Sequence, residues 1–426
     1  MPEELEVPLS VTCSQPKLTP RSWRLPILLL MAVGVSGDLT VNCRNLAAAF
    51  RAVVWEATPL WLGIIAAAPA GGYILGLMIF GRSSDRIGRR WAVTIGEAIA
   101  IASVAGLYFS TRVWHLALFS AIFGFSGGFL WPTLSAWFSA LSGDDPRRLN
   151  RMLGNFNLAW SSGMVAGALL GGILYQLLGG GTFLVLMVVL GAVLTGVQFV
   201  PERTASSVRP ENGEIGRADS PRFLLVARLG NGLGWFAGGT LLTILPKLTQ
   251  VLGISESATG LALAGFYAAV LMLIWLARCS HRWQYRRWPL VLPVPMAILG
   301  MGLMLVARTT AVFTLACYLT GIAMALSVVA ALYYALHGRQ EKRAAATSIH
   351  EIVVGLGGVS GSVISGLVAQ RLTATYPAEL ALRGAFVVVI GVAVLIGVAQ
   401  IVAWRSMSSR LQAPGKFAPA PGQSPG

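Results

Sequence analysis

The sequence predicts an all-α integral membrane protein of about 12 transmembrane helices, arranged as two pseudo-symmetric six-helix bundles. Three observations carry that reading. Of 426 residues, 55% are hydrophobic and 12% charged, with a mean hydropathy of +0.69, more apolar surface than a soluble core can hide. Stretches of about 20 apolar residues recur, the length at which a helix crosses a hydrocarbon core of roughly 30 Å. A polar interval divides these stretches near the middle of the chain, and basic segments repeat on its two sides.

The elements follow in order. Residues 1–24 form a polar, proline-bearing tail, expected to be cytoplasmic. No small-residue cleavage site follows Leu25, so the first span is expected to stay attached. The N-terminal bundle, 25–200, holds spans expected at 25–46, 58–80, 92–110, 114–140, 152–178 and 182–200. Residues 201–222, PERTASSVRPENGEIGRADSPR, with Pro201, Pro210 and Pro221, read as a linker. The C-terminal bundle, 223–404, holds spans at 223–250, 257–277, 289–307, 311–336, 346–371 and 381–404. A tail, 405–426, closes the chain.

The net charge of +15 does not point to nucleic acid, because most of the 32 Lys and Arg residues fall at alternate helix ends. Clusters such as Arg82, Arg86, Arg89 and Arg90, or Arg278, Arg282, Arg286 and Arg287, act as orientation signals. They place both termini in the cytoplasm of what we expect to be a bacterial inner membrane. Cys13, Cys43, Cys279 and Cys317 have no paired spacing, so no disulfide frame or metal knuckle is expected. No nucleophile with an attendant base and no phosphate loop stand out, which argues against an enzyme. No cofactor or metal is expected.

The sharpest motif lies between the second and third spans: GRSSDRIGRR, Gly81 to Arg90. Gly81 and Gly88 allow tight turns, and Asp85 is an anion among cations at a helix end. The pattern resembles the signature loop of the major facilitator superfamily of secondary transporters. The resemblance implies that Asp85, with Arg86 and Arg90 as charge partners, braces the start of span 11 near Thr347 and holds one transport state closed. The halves also repeat. ARCSHRWQYRR, Ala277 to Arg287, follows span 8 as the first loop follows span 2. Arg82 matches Arg278, Arg86 matches Arg282 and Arg147 matches Arg343, while His281 replaces Asp85 and Gln284 replaces Gly88.

Span 5 offers Gly163, Gly167 and Gly171 at four-residue spacing, a smooth face for close helix packing. The family's proton-linked exporters carry Gly-Pro-x-x-Gly-Gly here. This chain reads GALLGG with Ala168 in the Pro position, and Ser120 stands where those exporters place an Arg. Both departures argue against an antiporter assignment.

Polar residues within spans supply the candidate proton or substrate site. DLTVN, Asp38 to Asn42, is faintly similar to a first-helix stretch of the superfamily's multidrug exporters, and Asp38, Asn42 and Asn45 share one helix face. A carboxylate inside a span is costly and usually faces a wet cavity. Asp38 either does so or is held by a neighbouring helix. Arg228 and Asn231 line a face of span 7, where Arg228 either opposes Asp38 or snorkels. Arg44 could fork an anionic solute, although its expected place near the outer end of span 1 favours the headgroups. Glu351, at the start of span 11, is either a proton carrier or a helix-start carboxylate near Arg343, and Asn155 is its counterpart in span 5. Trp160, like Tyr73, Trp131, Tyr267, Tyr333 and Tyr334, offers a ring to a solute or simply packs. Glu97 is expected to pair with loop arginines.

The sequence thus points to a secondary active transporter that moves a small solute by alternating access, coupled to protons. Its partners would be the solute, protons and membrane lipids. A transport-inactive scaffold or sensor built on the same fold is the alternative, favoured by the degenerate second loop.

Overall fold

The computed structural model describes residues 24–80, 87–142, 146–201, 220–280, 282–336 and 343–412. Twelve long helices run through them: α1 (Arg24–Val54), α2 (Pro59–Phe80), α3 (Arg89–Tyr108), α4 (Val113–Ser142), α5 (Pro146–Leu178), α6 (Thr182–Val197), α7 (Ser220–Val251) and α8 (Glu256–Cys279). Then come α9 (Trp288–Val306, interrupted at Leu292), α10 (Thr310–Leu336), α11 (Arg343–Leu372) and α12 (Ala378–Gln412). No strand occurs among the described residues, as expected where lipid cannot satisfy backbone groups. Proline opens α2 and α5, positions where its missing N–H costs nothing. Pro69, Pro132 and Pro246 lie inside helices.

Among the described residues, ten stretches are long and apolar enough to cross a membrane; one, Arg151–Val197, covers both α5 and α6. Helix α7 is not among them. Its glycines, threonines, Asn231 and Trp235 dilute its hydropathy because it runs through the protein interior.

The helices pack as two bundles with matching contacts. In the first, α1 lies on α5 and α6, α2 on α4, and α3 on α4 and α6. In the second, α7 lies on α11 and α12, α8 on α10, and α9 on α10 and α12. The bundles meet along two crossed pairs, α5 with α8 and α2 with α11, and α7 also touches α1 and α2. Glycines set these distances. A side chain at Gly163, Gly167 or Gly171 would run into Val35, Leu39 or Cys43 on α1, so α5 and α1 approach backbone to backbone.

One boundary alters the functional reading. The first span was expected to end at 46, but α1 continues to Val54, because Arg44, Asn45 and Arg51 face protein, where polarity does not end a helix. Arg44 therefore lies ten residues, about 15 Å, inside the helix end. It is fully buried and does not reach the headgroups.

Candidate functional site

Two ends of the bundle interface frame the site. We call the end where α1 begins, α12 finishes and Arg89 and Arg90 open α3 the basic end. At the opposite end, a Cβ on Gly260 of α8 would lie 3.0 Å from the Gly172 Cα of α5, and one on Gly366 of α11 would lie 3.1 Å from the Gly63 Cα of α2. The two helix pairs that carry these glycines correspond in the repeat. Leu60 donates its N–H to Gln370 at 3.2 Å, and Ser257 donates its own to Gln176 at 3.1 Å. At the basic end Arg278 of α8 donates to Asn155 of α5 at 2.5 Å.

Beside the glycine pairs of the opposite end, Arg44, Asn45, Ala48 and Ala49 of α1, Ile65 and Ala66 of α2, Ser120 of α4 and Leu242 of α7 line a cavity of about 10 Å³, room for roughly one water molecule. Arg44 is 0% exposed. Its Nη2 donates to Asn45 Oδ1, and its guanidinium lies 4.5 Å above the Phe123 ring. Its Nε and Nη1 have no hydrogen-bond partner, and neither does the buried Ser120 hydroxyl.

Asp38 sits at mid-span on α1 and is half-buried. Asn42 donates to the Asp38 backbone carbonyl at 2.9 Å, so its amide is engaged within its own helix. Tyr73 of α2 is within electrostatic reach of both Asp38 and Glu351 of α11, and Tyr267 of α8 is within reach of Asp38. Two carboxyl groups from opposite bundles are thus within electrostatic reach of one tyrosine. The ion pairs between described residues join Glu379 to Arg308 at 3.3 Å and to Arg383 at 3.1 Å. Neither Asp38 nor Glu351 takes part in them.

Asn231 of α7 is fully buried and lies 3.4 Å from His350 Nδ1. Arg228, half-buried, is within electrostatic reach of the same histidine. It is not paired with Asp38 in those bridges. Trp160 donates to Asn157 at 3.1 Å, an intrahelical contact.

Of the residues whose role the sequence left open, Tyr333 and Tyr334 simply pack, and the expected pairing of Glu97 is corrected. Tyr333 and Tyr334 lie away from the centre, in an aromatic cluster with Phe223, Tyr285 and Trp404, where the Tyr334 hydroxyl accepts the Tyr285 N–H at 3.0 Å. Glu97 is 2% exposed and its Oε2 has no partner, so it forms no bridge to an arginine of the described residues. Of the switch loop, Gly81, Asp85 and Arg86 lie outside the described residues, as does the side chain of Thr347. Gly88 turns with φ +87° ahead of α3, a conformation glycine favours. Arg90 donates to the Val200 carbonyl at 2.9 Å, joining the starts and ends of helices within one bundle. Sequence reasoning did not weigh Ser120 as a site residue. Its only signal was negative, a small hydroxyl where a relative would carry a cation.

Twin bundles of six apolar helices, with polar and ionisable residues gathered where the bundles meet, define an integral membrane protein of the secondary-transporter class. The Major Facilitator Superfamily model matches residues 27–339, and the chain belongs to that family. No curated protein sequence matches it. Solved structures share the fold. A bacterial homolog of the human lysosomal transporter Spinster, inward-facing and occupied, superposes with a TM-score of 0.71 at 15% identity, covering 93% of this chain and 100% of that one. The unoccupied form gives 0.70 at 14% identity, with the same coverage. The nucleoside transporter NupG gives 0.70 at 11% identity, covering 90% of this chain and 99% of that one.

Proposed function

We propose that the chain moves a small solute across a bacterial inner membrane by alternating access, with both termini cytoplasmic, and that the movement is coupled to protons through Asp38 and Glu351. The observation that carries this reading is the placement of these two carboxyl groups on opposite bundles, within electrostatic reach of one tyrosine, Tyr73, and outside the ion pairs of the described residues. A carboxylate at mid-span is costly while charged. It is therefore suited to take up a proton before the site changes sides and to release it afterwards.

The two bundles supply the moving parts. Each is internally close-packed, and they meet chiefly along two crossed helix pairs, α5 with α8 and α2 with α11, a geometry suited to rocking about a central site. Within the switch motif, Asp85 with Arg86 and Arg90 would hold the basic end closed.

The test is a solute screen with purified chain in liposomes under an imposed pH gradient, reading internal pH and solute uptake together. Asp38→Asn and Glu351→Gln are expected to cut solute-dependent proton movement at least about tenfold. Uptake that proceeds with no proton movement would leave a carrier without proton coupling. Absence of flux for every solute, from folded protein, would favour the scaffold reading.

A further inference from the structure

We propose that the cavity beside Arg44 takes a small oxyanion, a solute bearing a carboxylate or phosphate group, whose charge is met by the Arg44 guanidinium with Asn45 and Ser120 beside it. The proposal rests on the transport reading above and deepens it by naming the substrate class.

The argument begins with charge balance. Arg44 is 0% exposed, and two of its three guanidinium nitrogens have no hydrogen-bond partner. An arginine stays charged in a protein and presents five donors, so this burial is costly unless a negative group meets it. The surrounding helices offer almost none. Among α1, α2, α4 and α7, whose residues line the cavity, the sequence contains one carboxylate, Asp38. Asp38 lies six residues before Arg44, about 9 Å along the axis and roughly a third of a turn away, and the two are not bridged. The Phe123 face and the Asn45 carbonyl are weak, neutral partners.

Arg51 and Arg383 show what the fold does when an arginine serves structure. Arg51 donates to the carbonyls of Leu107 at 2.9 Å, Tyr108 at 3.1 Å and Ser110 at 3.0 Å. Arg383, 5% exposed, donates to Glu379 and to the carbonyls of Met304 and Ala307. Both cap helix ends. Arg44 lies mid-helix among Ala48, Ala49, Ile65, Ala66 and Leu242, with no helix end to cap.

Ser120 adds an independent sign. Its hydroxyl is 0% exposed, unpartnered, and opens on the same cavity from α4. Serines within helices commonly return their hydroxyl to a carbonyl one turn back, as Ser126 and Ser327 do here at 2.7 and 2.9 Å. A guanidinium, a hydroxyl and an amide around one small volume are the donors an oxyanion needs. Because α1, α2 and α4 belong to one bundle and Leu242 to the other, an anion held there would touch both halves and be exposed as they separate.

The experiment measures thermal stabilisation of the purified full-length chain by lactate, benzoate, inorganic phosphate and glycerol 3-phosphate, with lactamide, benzamide and glycerol as neutral counterparts. The expected result is stabilisation by at least one anion and not by its neutral counterpart, with the carboxylate and phosphate arms deciding between the two groups. Arg44→Met should weaken that binding at least about 30-fold, with Arg44→Lys intermediate. Because it removes an uncompensated buried charge, Arg44→Met should also raise the melting temperature of the ligand-free chain. Loss of the anion-specific shift supports the proposal whichever way the basal melting temperature moves. Retention of the shift in Arg44→Met overturns it. Equal stabilisation by a neutral counterpart, with uptake of that solute in liposomes, overturns it while leaving the transport reading standing. No binding and no uptake of any solute overturns both.

Discussion

The two ends of the bundle interface are built differently. At the opposite end, backbone meets backbone: Gly172 with Gly260, and Gly63 with Gly366, leave no room for a Cβ on either helix. At the basic end, α5 and α8 meet through a long side chain, Arg278 reaching Asn155. Backbone contact between helices is short-ranged and unforgiving, because neither partner can rotate out of the way. A side-chain contact yields at the cost of a rotamer. The difference indicates that the opposite end closes in one defined geometry, whereas closure at the basic end is adjustable.

The largest effect should come from breaking the close approach. In Gly172→Val the new side chain would meet the Glu256 carbonyl and the Gly260 Cα, and no flexible atom stands there to move aside. Overpacking of this kind costs about 1–3 kcal/mol, enough to shift a two-state balance by about 5- to 150-fold. The bundles should part at the opposite end. A cysteine introduced at Ala48, a fully buried cavity residue, in a chain whose native cysteines are replaced by serine, should then react with maleimide at least about fivefold faster. An unchanged rate would mean that the glycines serve packing within the closed form and do not set its stability.

A middle-sized effect is expected where structure and function use the same residue type. Arg383 ties α12 to the carbonyl end of α9, so Arg383→Met should lower the melting temperature by the equivalent of about 2 kcal/mol and leave solute selectivity alone. The contrast with Arg44→Met, expected to stabilise the ligand-free chain, sharpens the distinction between an arginine that caps and one that awaits an anion. If both substitutions lowered the melting temperature alike and Arg44→Met kept its response to anions, the distinction would collapse.

Much of this architecture was legible in the sequence, and what escaped follows a physical pattern. The twelve helices, the six-plus-six arrangement and the family followed from hydropathy, the polar interval and GRSSDRIGRR, because lipid imposes a length on each span. The ends of spans were less legible. Hydropathy ended the first span at 46, whereas α1 runs on to Val54, since a polar residue facing protein looks the same in sequence as one facing water. That error of eight residues moved Arg44 from the headgroups to the interior. Glu97 illustrates the same limit: a carboxylate near a basic loop reads as an ion pair, yet it is buried within its bundle with an oxygen unpartnered. Tyr333 and Tyr334 have the composition of cavity residues but close an aromatic cluster at the basic end. Sequence shows which groups are unusual; the three-dimensional neighbours decide which of them are satisfied.

The smallest effect should come from the basic end. Arg278→Ala removes one exposed hydrogen bond to Asn155 and frees a side chain whose ordering opposed the contact. Exposed charged contacts of this kind contribute about 0.2–1 kcal/mol, so labelling of the Ala48 cysteine should change by no more than about fivefold, and raised salt should mimic part of the change because an exposed charge is screened. Asn155→Ala should match it, and the double substitution should add little, since both remove one shared contact. A labelling change in Arg278→Ala larger than that of Gly172→Val would reverse the comparison. It would make the side-chain contact the principal latch and demote the glycine pairs to a hinge.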